Sequence, residues 1–393
     1  MTTSVLPARV MTGGEAAAEA MRQIDPDVVP VYPITPQTPI IQGFAKFVAE
    51  GRAHAEIVNV ESEHSAMSAA IGSALAGART ITATSSQGLA LMAEVVYIAA
   101  AMRAPIVMAL GNRALSGPIN IHCDHSDSML VRDSGVIQLF AENAQEAYDL
   151  MVMAPRLAEH PEVLLPVLVC QDGFTITHSA EPVVLLGDRA VRRFVGEYRI
   201  PHPLLDVSVP TTQGPFAMPD YYYELRHQQV GAMAAALPLF DEIAEAFAKI
   251  SGRRYGAVEP YELDDADRAL VCLGSTGGTV KDVVDELRAR GERVGLLEIR
   301  AFRPLPVEQI RAALRFVPRV AVLDRADSPG GRPPLYAELL ATLHRTDVHV
   351  QSYVYGLGGR ELHPEDIVKV FEGMPQERLR PEYVGLRETP CLV

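Results

Sequence analysis

The sequence predicts an α/β protein built from two parallel-sheet domains. Apolar, β-branched runs alternate with helix-period segments twice along the 393-residue chain, first from Val28 to Cys170 and again from Ala269 to Phe371. Between the two blocks, roughly eighty residues after Asp172 carry neither period.

In the first block, strands are expected at Val28–Tyr32, Glu56–Val60, Thr80–Thr84, Pro105–Leu110 and Val163–Cys170. Helical patterns fill the gaps at Pro39–Val48, Glu63–Ala78, Gly88–Arg103 and Ala144–Ala158. The stretch Pro201 to Tyr223, with proline, glycine and three consecutive tyrosines, reads as a long loop that wraps a neighbouring subunit. After the acidic linker Glu259–Asp267 come strands Ala269–Leu273, Val294–Ile299, Val320–Leu323 and Val348–Tyr353. Helices Thr279–Arg290, Val307–Leu314, Leu335–His344 and Pro364–Phe371 alternate with them. From Gly373 the chain reads as an extended tail suited to gripping a neighbour.

Composition narrows the function. A formal charge of −14 opposes binding to nucleic acid or to an anionic membrane. Cys123, Cys170, Cys272 and Cys391 form no C-x-x-C pair, so the usual zinc and iron–sulfur spacings are absent and a reduced, cytoplasmic protein is expected. The most apolar internal stretch, Leu89 to Met102, is too short to span a bilayer.

Several segments could carry chemistry. Three prolines in Tyr32-Pro33-Ile34-Thr35-Pro36-Gln37-Thr38-Pro39 stiffen a strand-to-helix turn and hold Thr35 at the carboxyl edge of the sheet, where α/β folds bind ligands. Thr38 reads as a helix N-cap with Pro39 at the first helical position. Glu61-Ser62-Glu63-His64 ends the second strand; carboxylates there either complement a helix dipole or do acid–base work. Arg113 follows the fourth strand and offers a planar fork suited to a carboxylate, or simply faces solvent.

The run His122-Cys123-Asp124-His125-Ser126-Asp127 invites a metal reading. Its crowding favours hydrogen bonds that organise a loop instead, and no metal is assigned to this chain. Gly274-Ser275-Thr276-Gly277-Gly278 and Gly356-Leu357-Gly358-Gly359-Arg360 read as tight turns. Asp172-Gly173-Phe174 is similar to a metal–diphosphate turn, but all four asparagines (59, 112, 120 and 143) lie upstream of it.

Taken in order, Tyr32-Pro33-Ile34-Thr35-Pro36, Ser62-Glu63, Thr84-Ser85-Ser86-Gln87-Gly88-Leu89, Asn112-Arg113-Ala114, Asp124-His125-Ser126-Asp127 and Asp172-Gly173-Phe174 with His178 resemble the α subunits of pyruvate (2-oxoacid):ferredoxin oxidoreductases. The resemblance implies a thiamine-diphosphate pyrimidine-binding domain over residues 1–255. A transketolase-C-terminal-like domain over 256–372 and an inter-subunit tail over 373–393 would follow. It implies that Glu63 meets N1′ of the aminopyrimidine, with Glu61 in reserve, and that Pro33, Ile34, Gln87 and Gly88 line the cofactor. Thr35 and Arg113 would meet the oxo and carboxylate groups of the substrate.

The implied reaction is coenzyme-A-dependent oxidative decarboxylation of a 2-oxoacid, with pyruvate giving acetyl-CoA as the family's common case and branched-chain, aryl or 2-oxoglutarate forms as alternatives. A β subunit would hold the diphosphate and Mg²⁺. [4Fe–4S] clusters would reside in partner chains, with γ and δ ferredoxin-like subunits passing electrons to ferredoxin or a similar acceptor. A self-sufficient transketolase-like enzyme would need a Gly-Asp-Gly turn with a downstream asparagine, and neither is present. In a non-catalytic scaffold, Glu63 and Arg113 would only cap a helix and solvate a loop.

Overall fold

Every strand and helix expected between Val28 and Phe371 forms, with ends displaced by a few residues, in a computed structural model that describes residues 6–376 and 380–387. Cys391 lies outside the described residues.

Strand β1 (Arg9–Thr12) precedes α1 (Gly13–Ile24), β2 (Val28–Val31), α2 (Thr38–Ala49), β3 (Glu56–Asn59) and α3 (Glu63–Ala76). Then come β4 (Thr80–Thr84), α4 (Ser86–Ala101), β5 (Ile106–Asn112), the short α5 (Ser126–Leu130), β6 (Ile137–Phe140) and α6 (Ala144–Ala158). Strands β7 (Val167–Asp172) and β8 (Ala180–Val183) lead to α7 (Asp188–Val195) and α8 (Pro219–Ser251). The second block holds β9 (Val258–Tyr261), β10 (Arg268–Cys272), α9 (Thr276–Ala289), β11 (Val294–Ile299), β12 (Ala301–Arg303) and α10 (Val307–Leu314). It ends with β13 (Arg319–Asp324), α11 (Pro334–Thr342), β14 (His349–Val354), α12 (Pro364–Gly373) and β15 (Glu382–Tyr383).

The first sheet has the order β12-β6-β7-β5-β4-β2-β3 and is parallel except for β12. The second has the order β15-β14-β13-β10-β11-β9 and is parallel except for β9. Parallel strands covered on both faces need apolar side chains on both, which is why β5 and β7 are buried at every position. The strand order reverses between β4 and β2, so the carboxyl ends of β2, β4 and β5 open a crevice of the kind that holds ligands in such sheets.

The domains do not separate cleanly. Ala301–Arg303, inside the second block, adds a strand to the first sheet. One apolar cluster runs from Ala66, Met92 and Leu168 into Leu297, Phe302 and Leu335, with Phe140 and Phe302 edge-to-face at 6.4 Å. The described part of the tail places Glu382–Tyr383 as an edge strand beside β14 of this chain's own sheet.

Two local expectations change, and one helix is added to those expected. Helix α2 has Gln37 rather than Thr38 as its N-cap, because the turn tightens one residue earlier and Pro39 remains in the first turn. The amino-terminal segment forms α1, capped by Thr12 and Glu15 in a reciprocal box and buried against α6. The loop expected to run to Tyr223 ends at Met218, where the 33-residue α8 begins. Gln229, Ala232, Ala236, Phe240, Ile243 and Phe247 make its buried stripe, while its amino-terminal turns and the preceding arm are exposed, Val207 at 91% and Phe216 at 92%. Pro238 inside the helix and the exposed Tyr221–Tyr223 dilute the helical period.

Candidate active site

The crevice gathers five strand ends: the turn after β2, Glu61–Glu63 after β3, Ser85–Gly88 after β4, Asn112–Ala114 at β5 and Asp172–Phe174 at β7. Three glycines let them approach. A Cβ on Gly111 would meet Ser85 Oγ at 3.1 Å and Pro36 Cγ at 3.3 Å; one on Gly173 would meet Pro36 Cγ at 2.9 Å. On Gly88 it would meet Glu63 Oε1 at 2.8 Å and overlap Thr84 Oγ1.

Glu63 is the first residue of α3 and only 6% exposed, yet its carboxylate makes no hydrogen bond or ion pair among the described residues. Ser62 serves as N-cap in its place, accepting from Ser65 N at 3.2 Å. A buried carboxylate without a partner is costly, so its persistence marks a place for an external donor. Glu61 is fully exposed and bonded to Ser65, which holds its carboxyl below the usual range. Gln37 Oε1, Thr84 Oγ1, Ser85 Oγ and Asn112 Oδ1 are also buried without partners. Thr84 Oγ1 and Glu63 Oε1 face the same space beside Gly88, where a ligand's donors could meet both.

Arg113 is 6% exposed and forms no ion pair among the described residues. Its Nη1 donates to the Thr35 carbonyl at 2.9 Å and its Nε to the Asn120 carbonyl at 2.9 Å, which leaves Nη2 for an anion. Arg113 and Thr35 are therefore brought together. Tyr32, Pro33 and Thr35 are exposed at the crevice mouth, with Ile34 half-buried. Ser86 takes a positive φ of 45°, and its single hydroxyl proton has two acceptors in reach, Gln87 Oε1 at 2.7 Å and the Ala114 carbonyl at 2.6 Å.

The residue that ties these parts together, Asp127, is not among the expected site residues. It is wholly buried and accepts from Ser86 N at 3.0 Å, Arg113 N at 3.0 Å, Asn112 Nδ2 at 2.9 Å and Ser128 N at 2.7 Å. Its place in Asp124-His125-Ser126-Asp127 was legible; its target, two strand ends distant in sequence, was not. Burial pushes its carboxyl up from 3.8 to about 6, against the pull of the Arg113 and Ser86 amides. Between those values the folded chain keeps a proton that the unfolded chain has released. The contribution of this group is therefore fully present below pH 3.8 and falls as pH rises through about 6. Asp127→Asn is expected to flatten that slope in denaturant titrations. Asp127→Ala, which orphans three backbone amides and the Asn112 side-chain amide, is expected to cost about 2 kcal/mol or more.

Asp172 serves a different purpose from the metal–diphosphate turn that its motif suggests. Its carboxylate is 1% exposed and meets His125 Nε2 at 2.8 Å, Arg325 Nη1 at 2.8 Å and Ser275 Oγ at 2.5 Å. It bolts the first domain to the second. Cys123, His125 and Asp172 do converge, but Arg325 already neutralises the carboxylate, and burial pushes the Cys123 thiol well above its usual value. Glu142, Glu259 and Glu298 converge around Lys281 Nζ, at 2.7, 2.9 and 3.3 Å, which serves as their cation. A cavity of about 490 Å³ lined by Leu75, Met102 and Tyr222 opens at the far end of α4. Sixteen residues of helix, about 24 Å, separate it from the crevice.

Similarity to known proteins extends over nearly the whole chain. Residues 19–244 match the family model described as pyruvate flavodoxin/ferredoxin oxidoreductase, thiamine-diphosphate-binding, and residues 266–367 match pyruvate:ferredoxin oxidoreductase core domain II. Pyruvate synthase subunit PorA of Thermotoga maritima is 55% identical over 96% of this chain and 98% of its own length. The subunit of that name from Methanocaldococcus jannaschii is 48% identical over 97% and 98%. A solved structure of 2-oxoglutarate:ferredoxin oxidoreductase from Magnetococcus marinus superposes with a TM-score of 0.76 at 20% identity, covering 94% of this chain and 66% of that one, a likeness of fold. Among the described residues no helix is long and apolar enough to cross a membrane.

Proposed function

The chain belongs to the pyruvate flavodoxin/ferredoxin oxidoreductase family, and from that premise we propose that it supplies the aminopyrimidine half of a thiamine diphosphate site in a coenzyme-A-dependent 2-oxoacid oxidoreductase complex, with pyruvate as the oxoacid. The observation that carries the reading is the unpartnered, buried Glu63 in the same crevice as Arg113 and Thr35.

Thiamine diphosphate, when bound, supplies a carbon nucleophile for the 2-oxo carbon and a sink for the electrons released by decarboxylation. Glu63 would hold a ring nitrogen of its aminopyrimidine by a hydrogen bond. Gly88 would leave that carboxyl the space it needs, and Gln87, Pro33 and Ile34 would bound the ring. Arg113 would pair its free Nη2 with the substrate carboxylate, and the Thr35 hydroxyl would donate to the 2-oxo group. Arg113 follows directly on the buried β5 and its guanidinium is held by two carbonyls, which would orient the substrate carboxylate.

Relatives named as subunits support a multi-subunit enzyme. We assign the diphosphate and its Mg²⁺ to a β subunit, and [4Fe–4S] clusters to that chain and to γ and δ ferredoxin-like chains that deliver electrons to ferredoxin. The lack of a downstream asparagine and of clustered cysteines here supports that division. The exposed arm around Val207 and Phe216 supports a contact with one of these chains.

The test is anaerobic purification of the complex that contains this chain, followed by viologen reduction with a panel of 2-oxoacids, with and without coenzyme A. The expected result is reduction that needs both pyruvate and coenzyme A. Full activity without coenzyme A, or with no 2-oxoacid, would overturn the reading; a marked preference for a branched-chain acid would change only the substrate.

A further inference from the structure

Arg113 is aimed by carbonyl oxygens, and one of them belongs to a segment with little packing of its own. Its Nε donates to Asn120 O, in a stretch where Ile119 is 78% exposed. The Asn120 side chain is held from both sides: Oδ1 accepts from His122 N at 2.7 Å, and Nδ2 donates to the carbonyl of Gly358 in the second domain at 2.8 Å. The same glycine turn grips the segment twice more. Gly358 N donates to Asp124 Oδ2 at 3.2 Å and Gly359 N to Cys123 O at 2.6 Å.

These contacts require glycine. Gly358 and Gly359 have φ of 60° and 78°, in the left-handed region. A Cβ on Gly358 would overlap Asn120 Nδ2, and one on Gly359 would overlap His122 Cβ. The turn thus has room for a hydrogen atom only at the two points where it touches the loop that orients the arginine.

We propose that the Gly356–Gly359 turn of the second domain is a positioning element for Arg113, acting through Asn120 as the positioning residue. The proposal rests on the reading of Arg113 as the group that meets the substrate carboxylate. One amino acid carries the link at both ends: the backbone carbonyl of Asn120 receives Arg113 while its amide is fixed to Gly358, so displacing the amide displaces the carbonyl. A misplacement of about 1 Å is enough to cost one to two orders of magnitude in a catalytic constellation. Because the contact is to a carboxylate already present in the bound substrate, the loss should be read mainly in KM for the oxoacid.

The test uses the assembled complex and compares wild type with Asn120→Ala, Asn120→Asp, Gly358→Ala and the Asn120→Ala/Gly358→Ala double variant. Asp at 120 keeps the acceptor for His122 N, turns an oxygen toward the Gly358 carbonyl and adds a negative charge near Arg113, whereas Ala at 120 removes the amide without adding charge, so agreement between the two isolates the lost inter-domain bond. The expected result is a rise in KM for pyruvate of about tenfold or more in each single variant, with KM for coenzyme A unchanged within about twofold. The double variant should be no worse than Asn120→Ala within about twofold, since the added methyl no longer meets an amide. A KM for pyruvate unchanged in both Asn120 variants, a fall in kcat alone, or a double variant that multiplies the single effects would overturn the proposal. Should Gly358→Ala fail to assemble, the two Asn120 variants decide alone. A wild-type complex that turns over no 2-oxoacid would instead overturn the functional reading itself, and the proposal with it.

Discussion

Glu63→Gln is expected to lower 2-oxoacid-dependent turnover of the assembled complex by roughly 10²- to 10⁴-fold, the usual range for loss of a positioned acid–base group, while leaving assembly and thermal stability nearly unchanged. The separation of the two effects follows from the local structure. Ser62, not Glu63, caps α3, and among the described residues Glu63 makes no bond that glutamine would break. What glutamine loses as a helix-terminal charge is about 0.3–1 kcal/mol. A scaffold in which Glu63 only complemented the helix dipole would keep its turnover. Glu61→Gln supplies the control: the exposed Glu61 faces Ser65, and turnover within about twofold of wild type is expected for its variant, while a large loss there would move the assignment to Glu61.

Asp172→Ala should produce the largest loss of stability, about 3–5 kcal/mol, because it leaves Arg325 as a buried cation without its carboxylate. Arg325 is 8% exposed and comes from the end of β13 in the second domain, so the damage should appear as weakened docking between the domains. Denaturant unfolding would then show a lower midpoint or two separated transitions; an unchanged midpoint would remove Asp172 from the seam.

The pH dependence has a definite sign. Burial alone would raise the Asp172 carboxyl, but His125 and Arg325 outweigh it and hold the group well below 3.8. A carboxyl depressed in the folded state contributes stability above its unfolded value and loses it as pH falls further. The seam should therefore be intact at neutral pH and weaken below about 3.8, and Asp172→Asn should remove that acid-side dependence.

Much of the crevice could be read from the chain because its parts lie at strand ends. Tyr32–Pro36, Glu63, Gln87–Gly88 and Arg113 each follow a run of β-branched or apolar residues, and a parallel sheet delivers all such ends to one edge. The long α8 was hidden because an exposed helical arm has no buried stripe in its first turns, and because Pro238 reads as a breaker when only local rules are applied. The extra strand Ala301–Arg303 was hidden for another reason: its partner β6 lies more than 150 residues earlier.

The chain's own order of residues is enough for the alternation of strands and helices, the succession of two alternating blocks, the sheet edge to which the motif-bearing turns are delivered and the family resemblance, since these depend on period, turn chemistry and motif order. It is the three-dimensional arrangement that buries Glu63 and leaves Glu61 exposed, makes Asp127 the shared acceptor of two strand ends, turns Asp172 into an inter-domain bolt and sets a glycine turn of the second domain against the loop that holds Arg113. Those roles depend on burial and on which distant donor meets which acceptor. Neither quantity is carried by a residue's neighbours in sequence; both arise when the strand ends converge and water leaves the crevice.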